Sequence, residues 1–246
     1  MMKKLKIIAF IFALSALAPF LQSCLGDDDS RQEQLIICTI NVPDAEKKEF
    51  YLTCDNGETL YPYNVGRLGN YKLVDGQRAF VACSFVDEKV EGYDHTVEIF
   101  EIVDIPTKEI EKLNKENAAK IGDDKINKNY MWVSKDRKYL TIEYQYYGTK
   151  KEKKKHVLNL VINEMKNQIA SNVIKDYIEL EFRHNAYEDT SGELVEGFIS
   201  FKLDKIKDEM EGKKGLKIRV NTIYGGEEFY EVNLPPSVKD KIISSK

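Results

Sequence analysis

The chain has 246 residues, a formal charge of −4 and 32% charged residues, which is length enough for two domains of ordinary size. Charge is unevenly placed: residues 31–110 carry eight Lys or Arg against fifteen Asp or Glu, while residues 111–246 are slightly basic. An acidic first half repels phosphate and argues against nucleic acid as a partner.

Residues 1–23 read as a lipoprotein signal peptide. Lys3, Lys4 and Lys6 precede an apolar run at residues 7–21, too short to span a bilayer, which takes roughly 20 apolar residues, but of secretory length. The run ends in Leu21-Gln22-Ser23-Cys24, a pattern that resembles a bacterial lipobox. That resemblance implies cleavage before Cys24 and its acylation with palmitate-type chains. Several chains on one residue exceed the two-signal requirement for stable anchoring. Asp27-Asp28-Asp29 follow, so residues 24–33 read as an acidic tether. Such a run resembles the surface-export signal of lipoproteins from Gram-negative gut anaerobes. The expected location is the outer membrane, displayed outward, with the periplasmic face as the alternative.

Residues 34–106 read as five strands of a small OB-type barrel. Ile36, Cys38, Ile40 and Val42 share one parity in the first strand. Residues 49–54 and 58–63 flank Asp55-Asn56-Gly57, where Asn-Gly supplies the positive φ of a tight hairpin; two- and three-residue loops both fit. Residues 64–75 form a long excursion punctuated by glycine. Residues 77–86 are apolar with little alternation, as in a strand covered on both faces, and residues 92–103 complete the set.

Residues 107–128 change character and read as a connector. Thr107 can cap a short helix running through Ile110 and Leu113. Residues 129–236 then return to clean alternation. His156, Leu158, Leu160 and Ile162 share a face, as do Ile178, Leu180, Phe182 and His184. Seven such strands predict an antiparallel, Ig-like β-sandwich. Residues 237–246 are left as a tail. The lysine-rich run at 150–155 reads as a solvated hairpin tip, where lysine deters edge pairing.

Candidate chemistry is sparse. The sequence contains no GxSxG, P-loop, HExxH or CxxC. Cys38, Cys54 and Cys83 each sit in an apolar run and read as small buried hydrophobes; three alternative single bridges are open to them. His156 and His184 share core parity and could adjoin, with Asp189 or Glu181 as a third group. One reading is a metal or catalytic pair. The other is two buried histidines satisfied by each other and by backbone, with Arg183 and Asn185 organising the strand end. The second is adopted, so no catalytic, metal or cofactor residue is assigned and no enzymatic activity is expected.

Several stretches together resemble one family. They are the acidic run after Cys24, Asp55-Asn56-Gly57-Glu58-Thr59-Leu60-Tyr61-Pro62, Asp75-Gly76-Gln77-Arg78, Ile105-Pro106-Thr107-Lys108, Trp132, Tyr139-Leu140, His156, Asn159-Leu160-Val161, Phe182-Arg183-His184-Asn185, Asp189 and Ile199-Ser200-Phe201. In that order the chain is similar to the NigD-like lipoproteins. The resemblance implies an OB-type domain followed by a β-sandwich, and a family named for bacteriocin immunity. The expectation is a membrane-anchored binding module, with an unidentified protein or glycan as partner. A carbohydrate-binding accessory lipoprotein is the alternative, for which Tyr61, Tyr63, Tyr144, Tyr146 and Tyr147 could offer stacking faces.

Overall fold

The computed structural model describes residues 32–44, 49–64, 68–69, 71–149, 156–165, 176–190 and 192–236. The leader 1–23, Cys24, most of the tether 24–33, the basic run 150–155 and the tail 237–246 lie outside the described residues.

Five strands build the first domain: β1 (Gln34–Asp44), β2 (Glu49–Cys54), β3 (Thr59–Pro62), β4 (Gln77–Val86) and β5 (His95–Asp104). They close a barrel in the order β1-β2-β3-β5-β4, with β4 returning to pair antiparallel with β1. Alternation puts Cys38, Ile40, Leu52, Leu60, Val81, Val97 and Ile99 inside, removing their apolar surface from water. Closure leaves no open edge in this domain. The β2–β3 hairpin has a three-residue loop, Asp55–Gly57. Gly57 N–H donates to the Cys54 carbonyl at 2.8 Å and Cys54 N–H to the Glu58 carbonyl at 2.8 Å. Gly57 takes φ +84°, the left-handed position of a type I turn with a following bulge. A Cβ there would also lie 2.7 Å from Lys135.

The second domain stacks two sheets. β6 (Thr107–Glu109), β7 (Glu111–Leu113), the one-turn helix α1 (Ala118–Ile121), β8 (Asn127–Val133), β9 (Tyr139–Gly148), β10 (Val157–Asn163), β11 (Tyr177–Asn185), β12 (Glu193–Lys202), β13 (Gly215–Thr222) and β14 (Gly226–Asn233) follow in order. One sheet runs β14-β13-β11-β10-β7 and the other β6-β12-β9-β8. Leu140, Ile142, Leu160, Leu180, Phe182, Ile199, Phe201, Ile218 and Val220 fill the space between them. Antiparallel pairing predominates, but β11 runs parallel to β13, β10 to β7 and β12 to β6.

The helix expected from Thr107 through Leu113 is not there. That stretch is extended and supplies an edge strand to each sheet, and the only helix of the segment is Ala118–Ile121. Residues 107–128 thus enter the sandwich rather than merely joining it to the barrel. The physical reason is tertiary: two open edges each gain a hydrogen-bonded neighbour. The crossing at Ile110, which is 1% exposed, also seats an apolar side chain between the sheets. These gains outweigh the weak helical preference of a Lys- and Glu-rich segment.

Barrel and sandwich meet around Arg78, whose side chain is fully buried. Its Nη2 donates to Asp55 Oδ2 at 2.7 Å and to Thr141 Oγ1 of β9 at 3.2 Å, and its Nη1 donates to Thr39 Oγ1 at 3.1 Å. Trp132 Nε1 of β8 donates to the same Asp55 oxygen at 2.6 Å, and Thr141 pairs with Ser200 Oγ at 2.8 Å. The guanidinium lies 5.1 Å from the centre of the Tyr139 ring, whose hydroxyl donates to the Gly76 carbonyl at 3.0 Å. Phe80 meets Phe198 edge-on at 4.9 Å beside this cluster. Strand β4 is therefore covered on both faces, by the barrel core and by the sandwich.

Candidate functional site at the open end of the sandwich

At the end of β9 away from the barrel junction, the apolar interior gives way to polar groups. His156 precedes β10 and His184 lies in β11; both occupy the inner parity that Leu158, Leu160, Leu180 and Phe182 fill deeper in. His156 Nδ1 and His184 Nε2 are 2.9 Å apart. His184 Nδ1 is 3.1 Å from the Lys125 carbonyl. A carbonyl can only accept, so that nitrogen carries the proton. In neutral His184, Nε2 is then the acceptor, and His156 Nδ1–H donates to it. Beyond, His156 Nε2 stands 3.2 Å from Asp189 Oδ2. Asp189 also accepts from Thr149, from its N–H at 2.9 Å and its hydroxyl at 2.7 Å.

Rings stack above the relay. Tyr146 of β9 lies over His156 with centroids 4.3 Å apart and planes 14° from parallel, and Tyr144 stacks on Tyr146 at 5.8 Å. Gly148 admits this arrangement, since a Cβ there would sit 2.8 Å from His156 Nε2. Burial drives the His184 pKa down to about 4, because a charged imidazole would lose its hydration. The neighbouring His156 pushes the same way, against the Lys125 carbonyl and Asp124, which favour the proton. Burial also pushes the Tyr144 hydroxyl up to about 12.

The loop after β11 holds Asp189 inward. Tyr187 and Glu188 both adopt left-handed φ, 47° and 67°, a conformation costly outside glycine. Asn185 supports the turn: its side chain accepts from Tyr187 N–H at 2.9 Å and donates to the carbonyls of Ala119 and Lys120 at 2.9 and 3.0 Å, tying α1 to the strand end. On the outer face of β11 lies a separate charged cluster. Glu181 is paired with Arg183 and accepts from Asn163 at 2.9 Å. Arg219 grips Asp123 with two bonds, at 2.7 and 2.8 Å.

A cleft of about 230 Å³ opens beside the relay, lined by Asp123, Asp124, Lys125, Tyr147, His184, Ala186, Thr190, Asn221 and Ile223. Tyr147 and Tyr224 flank it at 37% and 77% exposed, their hydroxyls 3.2 Å apart. His184 forms part of its wall, yet both ring nitrogens are turned to internal partners. The imidazole presents shape, without a lone pair, to anything in the cleft. The relay also fits a hydrogen bond better than a metal: tetrahedral zinc holds its ligand nitrogens roughly 3.3 Å apart at bond lengths of ~2.0–2.1 Å, and here the two lie at 2.9 Å.

Of the residues singled out from sequence, His156, His184 and Asp189 come together. Glu181 does not join them, because it lies three residues from His184 and so on the other face of the strand. Arg183 and Asn185 organise the strand end as expected. Tyr61, Tyr63, Tyr144, Tyr146 and Tyr147 do not share a patch. Tyr61 packs on Tyr93 at 5.3 Å on the barrel, Tyr63 is 56% exposed, Tyr144 and Tyr146 pack against the sandwich core, and Tyr147 faces outward. Sequence reading missed Asp123, Asp124, Lys125, Thr149 and Tyr224.

Two family models divide the chain where the two domains do. The NigD-like N-terminal OB domain matches residues 39–105, and the NigD-like C-terminal beta sandwich domain matches residues 109–234. The chain belongs to the NigD-like family. Among solved structures, it is 28% identical to a protein of unknown function from Bacteroides vulgatus, over 85% of this chain and 94% of that one, with a TM-score of 0.69. A candidate lipoprotein from Bacteroides fragilis shares the fold at 12% identity, covering 84% and 100% with a TM-score of 0.62. A NigD-like immunity protein from Bacteroides caccae does so at 16% identity, covering 83% and 94% with a TM-score of 0.52. No curated protein matches. Among the described residues of this NigD-like chain, no helix is long and apolar enough to cross a membrane.

Proposed function

We propose that this NigD-like protein is a lipid-anchored binding module of the outer membrane that captures a protein partner at the cell surface without catalysing a reaction. In its most specific form this module is an immunity protein that intercepts a toxin. The observation that carries it is the cleft at the open end of the sandwich. Its imidazole is spent on internal hydrogen bonds, and what faces outward is a pair of exposed tyrosines, Tyr147 and Tyr224. Tyrosine is enriched where proteins meet, since it offers a large rigid face with one polar tip. A module that neutralises a toxin by covering it needs such a surface and no reactive group. The acidic barrel adds a preference for a basic partner, by charge complementarity. Acylated Cys24 and the Asp27-Asp28-Asp29 run supply the anchor and its outward address.

The reading is tested by deleting the gene and challenging cells with supernatants of competing strains. Sensitisation, reversed by the wild-type gene but not by one carrying Tyr147→Ala and Tyr224→Ala, is the expected result. Unchanged sensitivity removes the immunity reading. The anchor is tested separately: Cys24→Ala releases the protein from sedimented membranes, and full retention refutes lipidation at that residue.

A further inference from the structure

Cys38 of β1 and Cys54 of β2 stand directly opposite one another in the barrel wall, with sulfurs 3.2 Å apart. The backbone of Cys54 bonds away from β1: its N–H goes to Glu58 and its carbonyl receives Gly57, each at 2.8 Å. Cys38 and Cys54 are therefore a non-hydrogen-bonded pair of the β1–β2 ladder, the narrow kind, whose Cα atoms lie ~4.5 Å apart. Disulfides span Cα separations of ~4.4–6.8 Å, so the backbone already has the spacing. Reaching the S–S bond length of ~2.05 Å takes side-chain rotation alone. The third thiol has no equivalent place. Cys83 of β4 faces Gln34 in the β1 register, while Cys38 faces Ala79.

We propose that Cys38 and Cys54 are a dithiol that closes to a cross-strand disulfide, leaving Cys83 reduced. A disulfide-bearing oxidant, such as the exported thiol oxidases or oxidised glutathione, supplies the electron sink. Cys54, the half-buried partner, loses its proton and attacks one sulfur of the oxidant, releasing the first thiol and forming a mixed disulfide. Cys38 then loses its proton and attacks the Cys54 sulfur, releasing the second thiol. Two thiols give up two protons and two electrons, and the oxidant's disulfide becomes two thiols. The Cys38 thiol is held well above its ordinary pKa, first by its hydrogen bond with Cys54 and then by burial. Cys83 is raised to about 12, chiefly by burial. Attack by Cys38 therefore waits for a sulfur brought into contact, which only Cys54 provides. Closing the ring also constrains the unfolded chain, over the sixteen-residue separation of the pair.

The test uses the full chain purified reduced in detergent and then exposed to oxidised glutathione, so it does not depend on where the protein resides or what it binds. After denaturation, free thiols are alkylated and the protein is digested without reductant. Lys47 and Lys48 lie between the two cysteines, so trypsin separates them unless they are bridged. The expected result is one pair of peptides joined through Cys38 and Cys54, two hydrogens lighter than the reduced pair, with Cys83 alkylated. A Tm several degrees higher than that of the reduced protein accompanies it. In Cys54→Ser, a change at the half-buried rather than the fully buried member of the pair, both the bridge and the Tm rise are absent. Alkylation of both Cys38 and Cys54, glutathione retained on Cys54 beside an alkylated Cys38, or a bridge to Cys83 would each overturn the proposal.

Discussion

The junction between barrel and sandwich and the open end of the sandwich both bury polar side chains, but they are built from groups of different kinds. At the junction, a guanidinium that stays charged at any working pH is matched to one carboxylate and three further partners drawn from both domains. At the open end, two imidazoles and a carboxylate share protons along a line. The first arrangement withstands any change of pH that leaves Asp55 ionised. The second depends on how many protons are present, because its directionality rests on one nitrogen of His184 staying bare. Strand β9 runs between them, with Thr141 at one and Gly148 at the other, so one strand carries both a fixed clasp and a titratable one.

The largest expected effect comes from breaking the fixed clasp. Arg78→Met leaves Asp55 beside Trp132 without its counter-charge, and loss of one partner of a buried pair costs about 3–5 kcal/mol, read as a lowered urea midpoint. The paired change Arg78→Met with Asp55→Asn should cost less than the sum of the two single changes, since no charge is then left stranded. Arg78 Nε and Asp55 Oδ1 have no partner among the described residues, so the cluster is not fully satisfied even when intact. Equal costs for the double change and the sum would show that the two groups act separately.

Acid should strike the other end. The folded-state pKa of His184 lies near 4, below the ordinary value of 6.5, so the unfolded chain binds more protons between those values. Stability from this group is complete above about pH 6.5 and is lost as pH falls toward 4, by roughly 3 kcal/mol in all. Urea titrations at stepped pH measure this, with His184→Gln as the variant in which the slope flattens. A slope that survives the substitution would place the sensitive group elsewhere. Asp189→Asn has a smaller expected cost, about 1–3 kcal/mol, because Thr149 and His156 lose a charged acceptor while an amide oxygen remains. Smallest is the response to metal. Excess zinc or nickel should leave the Tm unmoved, given two imidazole nitrogens already joined by a hydrogen bond, and a rise in Tm would show that the relay opens to admit an ion.

The contrast also shows what kinds of residue a sequence reveals. His156 and His184 were legible as neighbours because alternation places both on the inner face of strands that pair side by side. Asp189 was named beside them, but so was Glu181. Parity alone excludes Glu181 and cannot include Asp189, whose position depends on a loop with two left-handed residues. The junction was not legible at all. Asp55, Arg78, Trp132 and Tyr139 stood out only as pieces of a family pattern, and nothing in their spacing said that they meet. Thr107 through Leu113 was misread for a related reason, since local preference cannot register that two sheet edges elsewhere in the chain lack a neighbour.

Alternation of apolar side chains was enough to place the strands of the barrel and those of the sandwich from residue 129 onward, and the change from one to the other, because burial is decided residue by residue along a strand; the edge strands Thr107–Glu109 and Glu111–Leu113 escaped it. The order in which strands pair, the clasp at Arg78 and the proton line from Asp189 to Lys125 were decided only in three dimensions. Those depend on contacts between residues far apart in the chain, and a polar group buried by folding takes whichever partner the fold brings within reach.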